Sequence, residues 1–321
     1  MPTWSEILQE LNQVFQQSNQ PPFDIVRRKY LVQLSASTQR NCILYATNWT
    51  APGKDPSSIA ISEEDIQGLM EVIYGLRGNT LDLILHSPGG SPEAAAAIVS
   101  YLRSKFSDIR VIIPHAAMSA ATMVACASNR IVMGRHSFIG PIDPQFILQT
   151  PLGVMAVPAQ AILDQFEMAR NECSDPKKLG AWLPILSQYG PALLVQCQNA
   201  IALSRKYVSE WLARYMLAGR DQADRRALEI ADRLSDHATF KSHGHHINRD
   251  EARAIGLTID DLEGDQVFQN LVLSVYHATT HTFNGTAAVK IIENQNGRAY
   301  IKLQGVPVQP PPHAPVPPPT P

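Results

Sequence analysis

The chain has 321 residues, 45% of them hydrophobic, with 27 Lys and Arg against 29 Asp and Glu for a formal net charge of -2. The apolar share excludes wholesale disorder. The balanced charge excludes the large basic field of a nucleic-acid binder and the acidic tail of a cation buffer, and the length admits one large core or two modest ones.

In chain order, Trp4, Ile7, Leu8, Leu11, Val14 and Phe15 recur at helical spacing among polar residues, the pattern of a docking helix rather than the unbroken apolar stretch of a signal peptide. Gln20-Pro21-Pro22 interrupts it. Residues 41–46 read as a short buried strand, and 50–58, rich in Pro, Gly and Ser, as a loop. A helix is predicted from Ser62, whose hydroxyl would cap it ahead of Glu63, Glu64 and Asp65; Ile66, Leu69, Met70, Ile73 and Leu76 form its apolar stripe. Alternation follows: strand 81–85, helix 92–106, strand 109–113, helix 119–128, strand 130–133. That β-α-β-α-β order predicts an α/β fold, a mostly parallel sheet flanked by helices. Its ligand chemistry is expected at the carboxyl ends of the strands, where Ser87-Pro88-Gly89-Gly90 and residues 114–119 both fall.

Beyond Gly140 the spacing turns helical over 158–171, 193–217 and 220–234, and a short helix at 250–255 should end at Gly256. Nine prolines fall within residues 307–321, which implies an extended, polyproline-like tail. The domain reading is thus an N-terminal helix and linker (1–26), a main domain (27–304) and a proline-rich disordered tail (305–321). Cys42, Cys126, Cys173 and Cys197 form no Cys-x-x-Cys pair and read as reduced thiols. The longest apolar run, 111–127, contains Pro114 and His115 and falls short of the roughly 20 residues that span a bilayer. The expectation is a cytoplasmic protein with no stable membrane span; Arg27-Arg28-Lys29 is too small a basic cluster for a nucleic-acid partner.

Ser119 lies where a strand ends and a helix begins, 29 residues after Gly90. A serine there can project at the sheet edge as a nucleophile, while Ala120 and either Gly89 or Gly90 offer backbone N–H groups to an oxyanion. Glycine suits that place because a residue without Cβ lets its backbone approach a substrate closely. A helix cap and a tight turn would use the same residues. His86 and His115, at the ends of the two strands, either line the pocket or bond to backbone.

The stretches 83–90 (Leu-Ile-Leu-His-Ser-Pro-Gly-Gly), 116–123 (Ala-Ala-Met-Ser-Ala-Ala-Thr-Met) and Ile131-Val132-Met133 resemble the superfamily of Clp proteolytic subunits and signal peptide peptidase A, with its crotonase-like spiral fold. Ile139-Gly140-Pro141-Ile142-Asp143-Pro144-Gln145, Arg40-Asn41 and Lys290-Ile291-Ile292-Glu293-Asn294 are similar more closely to the serine dehydrogenase proteinase family. The resemblance implies a Clp/crotonase-like fold with helical C-terminal additions and a Ser/Asp/His proteolytic site. The usual Clp histidine position falls near Pro141, so the base must come from elsewhere. His243 matches the family's histidine-bearing stretch, with His245 and His246 as alternatives beside it. Asp143, on the turn after the nucleophile helix, is the candidate carboxylate that holds the imidazole in the correct tautomer, although an aspartate before proline also caps turns. The rival is a Ser/Lys dyad using Lys177 or Lys178. His243, His245 and His246 lack a carboxylate or cysteine at zinc-like spacing, so no metal and no cofactor is expected.

The resulting expectation is an ATP-independent serine peptidase acting on protein or peptide, assembled as a homo-oligomer. A crotonase-like acyl-CoA enzyme and a catalytically silent oligomeric scaffold of the same fold are the alternatives.

Overall fold

A computed structural model of the chain describes residues 2–150 and 153–305. The proline-rich segment read as a disordered tail lies, from residue 306 onward, outside the described residues.

Twelve strands are described: β1 (Asn41–Thr47), β2 (Thr80–His86), β3 (Asp108–Ile113), β4 (Ala116–Ala117), β5 (Arg130–Met133), β6 (Phe138–Ile139), β7 (Gln145–Thr150), β8 (Gly153–Pro158), β9 (Ile247–Asn248), β10 (Ile259–Asp261), β11 (Ala288–Asn294) and β12 (Ala299–Leu303). Seven form one sheet in the order β10-β5-β3-β2-β1-β11-β12. From β10 to β1 every pairing is parallel, and β11 and β12 then add antiparallel.

Side chains alternate between the two faces of a strand, and the central strands are apolar on both. Ile43, Tyr45, Leu81, Leu83 and Leu85 face one core with the helices Asp65–Ile73, Pro92–Lys105 and Ala120–Cys126. Cys42, Leu44, Ala46 and Ile84 face the other, covered by the helices Phe23–Thr38 and Gln266–Gly285. The mostly parallel sheet flanked by helices is therefore present as expected.

The N-terminal helix, Trp4–Ser18, seats Ile7 and Leu11 against Val26 and Ala278. The helix Phe23–Thr38, which the sequence reading passed over, runs through the division placed between residues 26 and 27. The helix expected from Ser62 starts at Asp65 and ends at Ile73, short of Leu76. Its predicted cap also reverses: the Ser62 N–H donates to Asp65 Oδ2 at 2.9 Å, and the Ser62 hydroxyl caps nothing. Pro92–Lys105 is capped by Ser91, whose hydroxyl accepts from the Ala94 N–H. The C-terminal end of Arg249–Ile255 is closed by Gly256 at φ 119, as its sequence predicts.

Candidate active site

A small second sheet gathers the candidate residues. Its strands run β4-β6-β9, with Ala117 opposite Ile139 and Ile139 opposite Ile247. Ser119 lies just beyond β4, Asp143 just beyond β6, and His243 just before β9. Three segments far apart in sequence are thereby brought side by side.

Ser119 adopts φ 52, ψ -120, in the half of the map that residues with a Cβ rarely enter. Such strain persists where the surroundings over-determine it, and they do here. The Met118 N–H donates to Ser87 O at 2.9 Å and the Ser87 N–H to Ala116 O at 3.2 Å, tying the glycine turn to the segment before the serine. The Ala121 N–H donates to Met118 O at 2.8 Å. The buried Thr122 hydroxyl lies 2.9 Å from both Ala117 O and Gly140 O, and accepts from the Gly140 N–H at 3.1 Å. Ser119 is half-buried, and its side chain makes no capping bond to the helix it precedes, so the plain helix-cap role is not taken up.

The glycine pair divides its work. Gly89, at φ 94, sits so close to the nucleophile that an added Cβ would lie 2.7 Å from Ser119 Cβ and 2.8 Å from Ala120 N. Its own N–H donates to Ser87 Oγ at 3.2 Å. Gly90 pairs with Ile61 as an isolated parallel bridge: the Ile61 N–H donates to Gly89 O at 2.7 Å and the Ser91 N–H to Ile61 O at 3.0 Å. In extended chain the peptide groups alternate in direction, so this pairing turns the Gly90 N–H away from Ile61. The N–H groups of Gly90 and Ala120 donate to no protein acceptor among the described residues. Of the expected hole donors, these two are free and Gly89 is engaged.

Asp143 is buried, with 3% of its surface exposed. His243 Nδ1 stands 2.7 Å from its Oδ1, and a second histidine, His237, places Nδ1 3.1 Å from its Oδ2. A carboxylate only accepts, so each Nδ1 donates to it, an arrangement that in the neutral imidazole puts the lone pair on Nε2. Gln145 Nε2 adds a third donor at 3.3 Å. The sequence reading missed His237. It opens a four-residue helix, His237–Phe240, capped by Asp236, and a segment that short carries no periodicity to mark it. The only signal was a histidine six positions ahead of the cluster at 243–246.

The alternative bases have other occupations. His246 stacks on Phe138 with ring centroids 3.7 Å apart, and His245 packs against Phe240 at 5.0 Å. Lys177 and Lys178 are exposed in the first turn of Pro176–Leu186, a helix with no buried residue; Lys178 lies 3.6 Å from Glu172. Neither lysine is in the dry surroundings that would make an amine a base at neutral pH.

His86 bonds to backbone, one of its two expected roles, whereas the His115 ring bonds to a side chain instead. His86 donates from Nδ1 to Ala116 O at 3.1 Å, and burial pulls its imidazole pKa down to about 3. His115 meets the Tyr276 hydroxyl at 3.0 Å, and burial also lowers its pKa.

Comparison with known proteins bears on the family of the chain. The family model described as ClpP-like SDH-type serine proteinase matches residues 61–282. Two proteins of Methanocaldococcus jannaschii, both described only as uncharacterized, are similar in sequence. One is 28% identical over 209 residues, 65% of this chain and 63% of the relative; the other is 26% identical over 193 residues, 60% and 56%. The chain thus spans about 63% and 56% of the length of these curated relatives. Among solved structures, a serine-to-alanine mutant of the 1510-N membrane-bound stomatin-specific protease aligns at a TM-score of 0.38 and 15% identity, covering 62% of this chain and 74% of that one. That likeness is too loose to transfer residues. No helix among the described residues is long and apolar enough to cross a membrane.

Proposed function

Because the chain belongs to the ClpP-like SDH-type serine proteinases, we propose that it is a serine peptidase hydrolysing protein or peptide substrates without ATP, with Ser119 as its nucleophile. His243 Nε2 takes the Ser119 proton as Oγ attacks the scissile carbonyl. The carbonyl carbon becomes tetrahedral, and its oxyanion is received by the N–H groups of Gly90 and Ala120. His243 then returns the proton to the leaving amine, and water repeats the sequence on the acyl-enzyme. Asp143 holds His243 by its Nδ1–H and stabilises the imidazolium that forms. Side chains and backbone donors supply every step.

The observation that carries the reading is the 2.7 Å contact between His243 Nδ1 and Asp143 Oδ1, made by residues 100 positions apart that flank strands of the same small sheet as the strained Ser119. Among the described residues Ser119 Oγ makes no hydrogen bond to either histidine, and such catalytic contacts often tighten only around substrate. The exposure of Lys177 and Lys178 argues against the dyad.

Substitution Ser119→Ala is expected to abolish covalent labelling by a fluorophosphonate and hydrolysis of peptide esters. Labelling that survives it would overturn the assignment. The same reading includes self-association. Ile147 and Val154 on the β7–β8 hairpin are 69% and 67% exposed, and Leu183 on the neighbouring helix 56%, apolar surface that a second copy would cover. Light scattering should report a mass above the 35.3 kDa of one chain.

A further inference from the structure

Among the buried charges that the acyl-transfer steps leave unused, one pair stands behind the glycine turn. Lys290, on β11, is fully buried, and its Nζ donates to Asp65 Oδ1 at 2.6 Å and to Ala60 O at 2.7 Å. Asp65, 1% exposed, also accepts from the Tyr45 hydroxyl at 2.7 Å and from the Ser62 N–H at 2.9 Å. A salt bridge this deep is weak evidence of stabilisation, because desolvating both ions offsets much of their attraction. Burial in fact lowers the Lys290 pKa despite the carboxylate beside it. The pair calls for another reason, and its position supplies one.

The two ions grip the chain on either side of Ile61. Lys290 holds the carbonyl of Ala60, the residue before it, and Asp65 holds the N–H of Ser62, the residue after it. The N–H and carbonyl of Ile61 are then the two groups that bond Gly89 O and the Ser91 N–H, bracketing Gly90. The fit is close: a Cβ on Gly90 would lie 2.3 Å from Ile61 O. A displaced Ile61 therefore moves Gly90.

We infer that Lys290 and Asp65 are positioning residues for the oxyanion hole: by clamping Ala60 and Ser62 they fix the Ile61 backbone, and through it the direction of the Gly90 N–H. The inference rests on the peptidase reading above. It assigns a role to the Lys290-Ile291-Ile292-Glu293-Asn294 stretch that the chemistry of Ser119, His243 and Asp143 leaves unexplained. Its neighbours brace other segments: Glu293 accepts from Arg27 and Arg28, and Asn294 Nδ2 donates to Val72 O.

Lys290→Met alone strands a buried carboxylate and endangers folding, so the decisive variant is Lys290→Met/Asp65→Asn. It removes both charges, keeps an acceptor for Tyr45 and Ser62, and frees Ala60. Three quantities are read on the full chain: the thermal midpoint, the fraction of sites labelled by a fluorophosphonate at completion, and the limiting labelling rate, with kcat and KM for a peptide ester beside them. The expected result is complete labelling at a rate about 10- to 100-fold slower, with kcat falling in step and KM within about threefold, since a displacement near 1 Å costs a comparable factor. A purely structural pair would lower the midpoint or the labelled fraction and leave the rate per competent site at the wild-type value; that result overturns the inference. Wild-type protein that shows no Ser119-dependent labelling would instead overturn the peptidase reading on which it rests.

Discussion

Substitution Asp143→Asn probes the proposed mechanism most directly, because Asp143 is the acceptor shared by two imidazoles. The carboxylate receives Nδ1–H from His243 at 2.7 Å and from His237 at 3.1 Å. A carboxamide has one acceptor and one donor end, so it can satisfy only one of the two histidines. If its NH2 group faces His243, that Nδ1 must become the acceptor, the proton moves to Nε2, and no lone pair remains for Ser119; a wrong tautomer of this kind lowers kcat by about 10⁴. If its carbonyl faces His243, the tautomer survives but the charge is gone. The imidazolium formed during attack then loses an ion-pair partner worth about 4 kcal/mol at an effective dielectric near 20, roughly 10³ in rate. The side-chain exposures of Asp143 and His243, 4% and 25%, justify that intermediate dielectric. Either amide orientation thus predicts a loss of about 10³ to 10⁴ in kcat for a peptide ester. The assay is active-site titration followed by steady-state kinetics on the folded variant, with Lys177→Ala/Lys178→Ala as a comparison expected to change kcat less than about twofold. A folded Asp143→Asn protein keeping more than a tenth of wild-type kcat would refute the triad, and a collapse in the double lysine variant would install the dyad.

Two further outcomes follow from packing and protonation. Gly89→Ala adds a Cβ 2.6 Å from Met118 O and 2.7 Å from Ser119 Cβ at a φ of 94, so strain and overpacking together should cost about 3 kcal/mol by urea denaturation and slow labelling at least 100-fold; wild-type labelling would contradict the close approach. His86 stays neutral in the folded chain down to about pH 3 but takes up a proton near pH 6.5 when unfolded, so the unfolded state binds more protons between those values and stability must rise with pH across them. The full difference amounts to about 5 kcal/mol, lost progressively as pH falls from 6.5 toward 3, and His86→Leu should flatten that acid limb; an unchanged slope would show that His86 is not its source. His115, its ring 5.4 Å away and itself lowered by burial, adds in the same direction.

What the sequence made legible depended on how local each determinant is. The stretch from β2 to β5 announces itself because parallel strands buried on both faces are short apolar runs, and helices, the first of them capped by Ser91, separate them. Ser119 and the glycine pair are local too, since a positive φ or a missing Cβ is demanded where the residue stands. The helix Phe23–Thr38 escaped because its buried set includes Arg27, whose burial depends on partners far along the chain, Glu293 266 positions later and Thr282, beside the local Asp24. β11 was visible only as a resemblance for the same reason: Lys290, Glu293 and Asn294 interrupt its apolar pattern, and each is satisfied by a partner from another element. The helix Pro176–Leu186 buries none of its residues and carries an internal Pro184, so no apolar periodicity marked it, and its Asp175 cap ahead of Pro176 was the one local signal.

The same argument separates the two halves of the site. Gly90, Ala120 and Ser119 are held in place by backbone geometry that a few neighbouring residues dictate. The choice among His243, His245 and His246 is instead a question of which ring reaches Asp143, decided by the pairing of β6 with β9 and by Phe138 and Phe240 drawing the other two rings aside. His237 reaches the same carboxylate from a helix too short to leave a pattern. His237→Phe should therefore separate support of the carboxylate from proton transfer. Removing a donor from Asp143 Oδ2 leaves the His243 Nδ1–H bond intact, so a His243-dependent enzyme should lose less than about tenfold in kcat, whereas His243→Phe should lose about as much as Ser119→Ala, because residues that act as one unit fail together. The reverse order of losses would move the base to His237 without disturbing Asp143 or the oxyanion hole.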